Sequence, residues 1–242
     1  MDGIINLNKP VGITSAKALY RVRTLTGQRK SGHAGSLDPA ASGVLVLCLG
    51  RATGLVERVM DQPKVYRAGA RLDVTSPSHD SDTELRAVEV CDVPSEAAIR
   101  EALSAFEGEI DQVPPKISAL KVGGVPAYKR TRRNQDFELA ARRVTVYWLH
   151  LRSYNWPALE FDMACGRGTY VRSLVRDVGE RLGTGGCLTA LVRRAVGPFC
   201  EDRAWSFEAL AAADGPEEYL VDLAHARTLL DRGAMTAPPR PV

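Results

Sequence analysis

The stretch Ser31-Gly32-His33-Ala34-Gly35-Ser36-Leu37-Asp38-Pro39-Ala40-Ala41-Ser42-Gly43 runs straight into Val44-Leu45-Val46-Leu47-Cys48-Leu49. A polar, glycine-containing loop thus precedes a nearly continuous apolar run, and that run reads as a buried strand from Ser42 to Leu49. Glycine lets a backbone come close to a ligand. A rigid strand behind the loop would hold Asp38 in place, and Pro39 restricts Asp38 to an extended conformation. A carboxylate and an imidazole so placed are candidates for chemistry. The same residues also have plain readings: Asp38 as the organiser of a turn before proline, His33 as an exposed polar side chain.

Working outward, Gly3 to Leu7 reads as a short strand and Lys9-Pro10-Val11-Gly12 as a turn. Ser15 can cap a helix with Ala18, Val22 and Leu25 on one face, closed by Gly27. Beyond the buried strand, Thr53 can cap a short helix carrying Leu55, Val56 and Val59. Residues 64–72 alternate, with Tyr66, Ala68, Ala70 and Leu72 on one face, so packing in the core is the plain role for Tyr66. Ser95 opens a helix through Ile99, Leu103 and Phe106. Gly123-Gly124 marks a hairpin turn. Residues 113–143 have few core positions and many cations, and read as a mobile excursion from the main body. Two alternating strands, 144–151 and 159–165, flank the Trp156-Pro157 turn. Gly166-Arg167-Gly168 then leads through Thr169 into a helix with a stripe of Val171, Leu174, Val175, Val178 and Leu182, closed by Gly183. Helix N-termini attract anions, which makes Tyr170 and Arg172 a second candidate site; the plain reading is a strand-to-helix turn with surface side chains. The element order is mixed α/β of the α+β kind, with antiparallel runs and no internal repeat.

The chain has 242 residues and is 45% hydrophobic, enough for one sizeable core or a main domain with a small appendage. No apolar run nears the roughly 20 residues that span a bilayer. The N-terminus has no export signal, so the cytoplasm is the expected compartment. The five cysteines form no C-x-x-C pair and fit reduced thiols. Net charge is only +3, but cations cluster at Lys129, Arg130, Arg132 and Arg133, with Arg142-Arg143, Arg172, Arg176 and Arg193-Arg194 elsewhere. Such clusters neutralise phosphates or form solvated faces. Gly27 to Gly32 has Walker A glycine spacing, but His33 and Ala34 stand where Lys and Ser or Thr belong, and no G-x-G-x-x-G occurs; nucleotide hydrolysis is excluded on that ground.

Four motifs, in order, carry a resemblance: Lys9-Pro-Val-Gly-Ile-Thr-Ser15, Gly32-His-Ala-Gly-Ser-Leu-Asp-Pro-Ala-Ala-Ser-Gly-Val-Leu45, Lys64-Val-Tyr-Arg-Ala68 and Gly168-Thr-Tyr-Val-Arg-Ser-Leu174. Together they resemble TruB-type pseudouridine synthases from about Gly3 to Phe199. Val113 to Lys121, with Tyr128, resembles that family's RNA-gripping insertion. The resemblance implies a pseudouridine synthase fold: a central, mostly antiparallel sheet flanked by helices, with the insertion at about 113–143. Its expected activity is isomerisation of uridine to pseudouridine in the T loop of tRNA, at position 55, after base flipping. The reaction breaks N1–C1′ and joins C5 to C1′ without net redox change or hydrolysis, so no cofactor and no metal is implied.

By the same resemblance, Asp38 is the essential carboxylate, acting as nucleophile or base. Tyr66 stacks on the extruded uracil and aids proton transfer at C5. Arg172 pairs with Asp38 and keeps it ionised. Tyr170 and Leu191 line the pocket, His33 helps hold the RNA open, and Lys9 supports the site. Lys129, Arg130, Arg132 and Arg133 grip RNA. The expected partner is the tRNA T arm, with no obligatory protein partner and no membrane. Three departures stand out: Asp73 to Asp82 blurs the family's Asp-rich loop, Ile117 replaces a frequent tyrosine, and no complete PUA domain is expected. Residues 1–205 are expected to form the catalytic domain. Residues 206–242 are expected to be short helices, 207–213 and 217–230, with a disordered tail over 236–242. Two other functions fit the sequence: an RNA-binding tRNA-folding chaperone without chemistry, and a synthase for another RNA.

Overall fold

The structure is a computed structural model that describes residues 1–118, 120–133, 135–232 and 238–240. In chain order its strands and helices are β1 (Gly3–Lys9), α1 (Ser15–Thr26), β2 (Ser31–His33), β3 (Ser42–Leu49), α2 (Val56–Asp61), β4 (Lys64–Arg71), β5 (Val74–Thr75), β6 (Arg86–Ala87) and α3 (Glu96–Ser104). They continue with β7 (Gly108–Gln112), β8 (Lys121–Val122), β9 (Val125–Pro126), α4 (Ala127–Arg132), β10 (Arg142–Asn155), β11 (Ala158–Cys165), α5 (Val171–Leu182) and β12 (Cys187–Val196). The last are β13 (Phe199–Cys200), α6 (Phe207–Ala212), α7 (Pro216–Tyr219), β14 (Leu220–Asp222) and α8 (Leu223–Arg232). The fold is mixed α/β with mostly antiparallel strands and flanking helices, as the sequence predicts. The chain divides into two compact units, Met1–Arg67 with Ala190–Pro239, and Ala68–Thr189 with Arg240–Val242.

In the first unit the strand order is β14-β1-β3-β12-β4, with β2 also paired to β3. The β3 run is buried from Val44 to Leu49, the pattern of a strand covered on both faces. It runs antiparallel to β1, placing Lys9 opposite Gly43, and parallel to β12, placing Arg193 opposite Gly43. Ile4, Val44, Val46, Val59, Phe199 and Leu230 belong to the core packed here. In the second unit the order is β4-β11-β10-β7. Here α5 buries Val171, Leu174, Val175 and Val178 of the predicted stripe and leaves Leu182 half-buried, and Gly183 ends it in the left-handed conformation.

Three expected caps shift by one or two residues. Thr14 caps α1, because the Ser15 hydroxyl is buried and bonded to the backbone of Leu37. Thr53 lies inside a 3₁₀ turn, Gly50–Leu55, and donates to the Gly50 carbonyl. Tyr170 takes the N-cap position of α5, while Thr169 donates back to the Gly166 carbonyl. The helix expected over 217–230 is interrupted: Leu220 to Asp222 form β14 on the edge of β1, and Asp222 then accepts from the backbone N–H groups of Ala224 and His225 to start α8. An open strand edge beside Leu220-Val221 offers ladder bonds that a helix interior there would forgo. The excursion over 113–143 forms the β8–β9 hairpin at Gly123-Gly124 and then α4. Of the tail predicted to be disordered, 236–237 and 241–242 lie outside the described residues.

Gly43 has φ +98, and a Cβ there would sit 2.3 Å from the Arg193 carbonyl oxygen. Both the left-handed backbone and the close approach of β12 require glycine. Gly43→Ala is expected to lower stability by about 2–3 kcal/mol. Chemical denaturation would show it as an earlier midpoint, and an unchanged midpoint would contradict the packing described.

Candidate active site

Within the first unit, the segment from Gly35 to Ser42 is braced from three directions. The Ser15 hydroxyl donates to the Leu37 carbonyl at 3.0 Å and accepts from the Leu37 N–H at 2.8 Å. The Gly12 N–H donates to the Pro39 carbonyl at 2.8 Å, and the Ala41 N–H to the Asp38 carbonyl at 3.1 Å. From β12, the guanidinium of Arg193 donates to Val44 O at 2.7 Å, Gly35 O at 3.1 Å and Ser36 O at 3.4 Å. Asp38 is therefore carried by a loop whose flanking peptides are fixed by hydrogen bonds.

Lys9 is fully buried, and its Nζ donates to the carbonyls of Pro10 and Ile13. Burial pulls its pKa down to about 8; the Asp38 carboxylate pushes it back up, and Arg193 pushes it further down. The unit thus brings Lys9 and Asp38 within electrostatic reach of each other. Lys9 also fastens the turn whose Gly12 N–H holds Pro39. His33 lies half-buried on β2. Burial, then the charge of Arg193, lower its pKa, which leaves a neutral imidazole at pH 7. Its Nδ1 is buried with no hydrogen-bond partner among the described residues. Tyr66 is buried on β4, and Leu191 is half-buried on β12.

The second unit holds the other predicted residues. Tyr170 is half-buried, with its backbone gripped by one side chain: Gln112 Oε1 accepts from the Tyr170 N–H at 2.8 Å, and Gln112 Nε2 donates to the Tyr170 carbonyl at 3.1 Å. Arg172 is buried on α5. It donates to Ser78 O at 3.0 Å and Ile117 O at 3.1 Å, and its Nε lies 3.5 Å from Asp80 Oδ2. Asp80 in turn accepts from the Ser78 hydroxyl and the Asp82 N–H. The loop in which the family pattern is blurred is thus an ordered network around Asp80, with His79 at φ +59. Ile117 takes part in holding Arg172 through its carbonyl, which any side chain could provide.

The basic residues separate into two kinds. Lys129, Arg132 and Arg133 are exposed on and just after α4, Arg130 is half-buried there, and the Arg132 guanidinium lies 5.7 Å from the centre of the Tyr128 ring. By contrast, Arg143 pairs with Asp111 and Glu109, Arg176 with Asp177 and Glu180, and Arg194 with Glu201. Arg193 is buried among carbonyls. Sequence reasoning missed Ser15, Asp80, Gln112 and Arg193 as site residues. For Arg193 a signal existed: strand alternation puts one member of Arg193-Arg194 inside and the other outside.

These features place the chain among the pseudouridine synthases. Residues 23–171 match the family described as TruB family pseudouridylate synthase (N terminal domain), and residues 172–226 match tRNA pseudouridylate synthase B C-terminal domain. The chain belongs to the TruB family. It is 41% identical to a protein of Bordetella avium (strain 197N) named tRNA pseudouridine synthase B, over 92% of each chain. It is 44% identical to the protein of that name from Burkholderia mallei (strain NCTC 10247), over 90% of this chain and 72% of the relative. Among solved structures, a chain of a Cbf5-Nop10-Gar1 complex is similar with a TM-score of 0.67 and 31% identity, over 85% of this chain and 52% of that one. The chain therefore spans about half the length of that structural relative.

His79 gives a test of the second unit. Burial, with the nearby charges of Arg176 and Arg172, lowers its pKa to about 4, against the opposing effect of Asp80. The unfolded chain protonates this imidazole near 6.5 while the native state keeps it neutral, so native stability falls as pH drops from about 6.5 towards 4. His79→Asn, which tolerates the positive φ, is expected to flatten that fall. Melting temperatures between pH 7 and 4.5 check it, and equal slopes for both proteins would contradict it.

Proposed function

We propose that this chain isomerises uridine to pseudouridine in the T loop of tRNA, at position 55, with Asp38 as the catalytic carboxylate. The observation that carries this reading is the bracing of the Asp38 loop, by Ser15 on Leu37, Gly12 on Pro39 and Arg193 on Gly35, Ser36 and Val44. A reaction at one ribose carbon needs a carboxylate held to within fractions of an ångström. The family match and the names of the relatives supply the substrate class.

In this reading the uridine leaves the helical stack before reaction. Asp38 then acts at the ribose, by attack on C1′ or removal of a ribose proton, and N1–C1′ breaks. The uracil turns and C5 joins C1′, which releases the Asp38 carboxylate or, by the other route, is followed by return of the ribose proton. The proton displaced from C5 is lost to solvent and N1 takes one up, so the product is an isomer of the substrate. Tyr66 stacks on the base and serves the proton transfer at C5. Arg172 is the orienting cation, fixed by Asp80 and two carbonyls. Tyr170 and Leu191 shape the pocket, and His33, being neutral, contributes hydrogen bonding to the opened RNA rather than charge. Lys129, Arg130, Arg132 and Arg133 bind phosphates of the T arm, and no protein partner is required. No helix among the described residues is long and apolar enough to cross a membrane. The proposed location is the cytoplasm.

Asp38→Asn is expected to lower turnover on a T-arm stem-loop by at least about 10³-fold while retaining RNA binding. Pseudouridine mapping of the product RNA checks this, and normal turnover by the variant would overturn the assignment of the catalyst. RNA binding by the wild-type chain with no isomerisation of any RNA would instead favour a chaperone. Replacing Lys129, Arg130, Arg132 and Arg133 with Gln should weaken binding and flatten its dependence on salt. An unchanged salt slope would show that this helix is only a solvated face.

A further inference from the structure

We infer that Arg193 is a positioning residue for catalysis, a clamp that sets where the Asp38 loop stands, rather than a phosphate-binding member of the basic surface. This inference rests on the function proposed above. Arg193 is 1% exposed, among the largest fully buried side chains among the described residues. It is therefore unavailable to a nucleic-acid backbone, unlike the exposed cations of α4.

Its guanidinium donates to one stretch of chain. Nη2 and Nη1 reach Gly35 O and Ser36 O, three and two residues before Asp38, and Nε reaches Val44 O, where the loop has joined β3. One rigid, planar group thus ties the two ends of the loop together. The main chain of Arg193 reinforces this: it pairs with Gly43, and the lack of a side chain there allows the approach. Gly35 adopts φ +89 with its missing Cβ position 3.7 Å from Nη1, so the loop turns directly over the guanidinium.

Burying an arginine only to fill volume is unfavourable, since an apolar side chain packs without a desolvation penalty. What an apolar side chain cannot do is offer several donors in a fixed fork. The residue type therefore fits a need for geometry. Lysine has the charge but a single donor head, and cannot span three carbonyls arranged in this way. Arg193 acts through the loop peptides, so its loss should move the position of Asp38 and leave the phosphate contacts of α4 in place.

The test compares wild type, Arg193→Lys and Arg193→Met with a core control, Val59→Ala, on the T-arm stem-loop. Val59 is buried on α2 in the first unit's core. Arg193→Lys is expected to lose about 100-fold in kcat, the cost of a misplacement of about 1 Å, with RNA Kd changed less than about 3-fold. Hydrogen exchange in peptides covering residues 34–44 should accelerate in Arg193→Lys and not in Val59→Ala, even where the two lose similar melting temperature. Arg193→Met should be no better than Arg193→Lys. If Arg193→Lys keeps wild-type kcat, or loses no more than Val59→Ala at matched melting temperature, Arg193 is a fold strut and the inference fails. A loss confined to Kd, with kcat intact, would return Arg193 to RNA binding and also overturn it. If wild type itself forms no pseudouridine, the proposed function falls first and the inference falls with it; active wild type with an active Arg193→Lys sinks the inference alone.

Discussion

A guanidinium group buried among three backbone carbonyls holds the loop that carries Asp38, the proposed catalytic carboxylate. The β3 strand gives that loop a fixed end, β12 lies parallel beside it, and Arg193 reaches from β12 across to both ends of the loop. The Lys9-to-Ser15 segment closes the other side, with Ser15 on Leu37 and Gly12 on Pro39. Two sequence motifs on either side of α1 are thereby one device. The first supplies hydroxyl and amide contacts, the second supplies the carboxylate, and a buried cation joins the second to the sheet.

The second unit repeats the logic with different parts. Arg172 is buried, with Asp80 among the groups that meet its charge and with the carbonyls of Ser78 and Ile117 accepting from its guanidinium. Asp80 is itself held by a serine hydroxyl and a backbone amide. A buried charge persists only where such partners are supplied. Each of these arginines is consequently locked in direction as well as position, which is what a site needs from groups that orient others.

The legible part of the fold was the part governed by short-range pattern. The apolar run of β3, the α5 stripe and the Gly183 stop are local facts of the sequence, and the structure has them where periodicity puts them. The Asp38 loop was legible as a candidate site because glycine, proline and a carboxylate concentrate there. What local pattern could not reveal were partners distant in sequence. Ser15 looked like a cap because nothing nearby signals Leu37. The helix expected over 217–230 gave way at Leu220 to Asp222 because the open edge of β1 is a tertiary fact. Arg193-Arg194 read as a basic pair because charge is conspicuous and strand alternation was not applied to it. Asp80 was hidden because its loop departs from the family pattern, although it supplies the counter-charge that Arg172 requires.

In the proposed function the chain itself breaks and remakes a ribose–base bond in RNA. Release of tritium from a T-arm stem-loop labelled at C5 of uridine tests this directly, because joining C5 to C1′ expels the hydrogen at C5. Release by the purified chain alone is expected to approach one tritium per RNA, matched by formation of pseudouridine at position 55. Tight binding of that RNA with the label fully retained would contradict it.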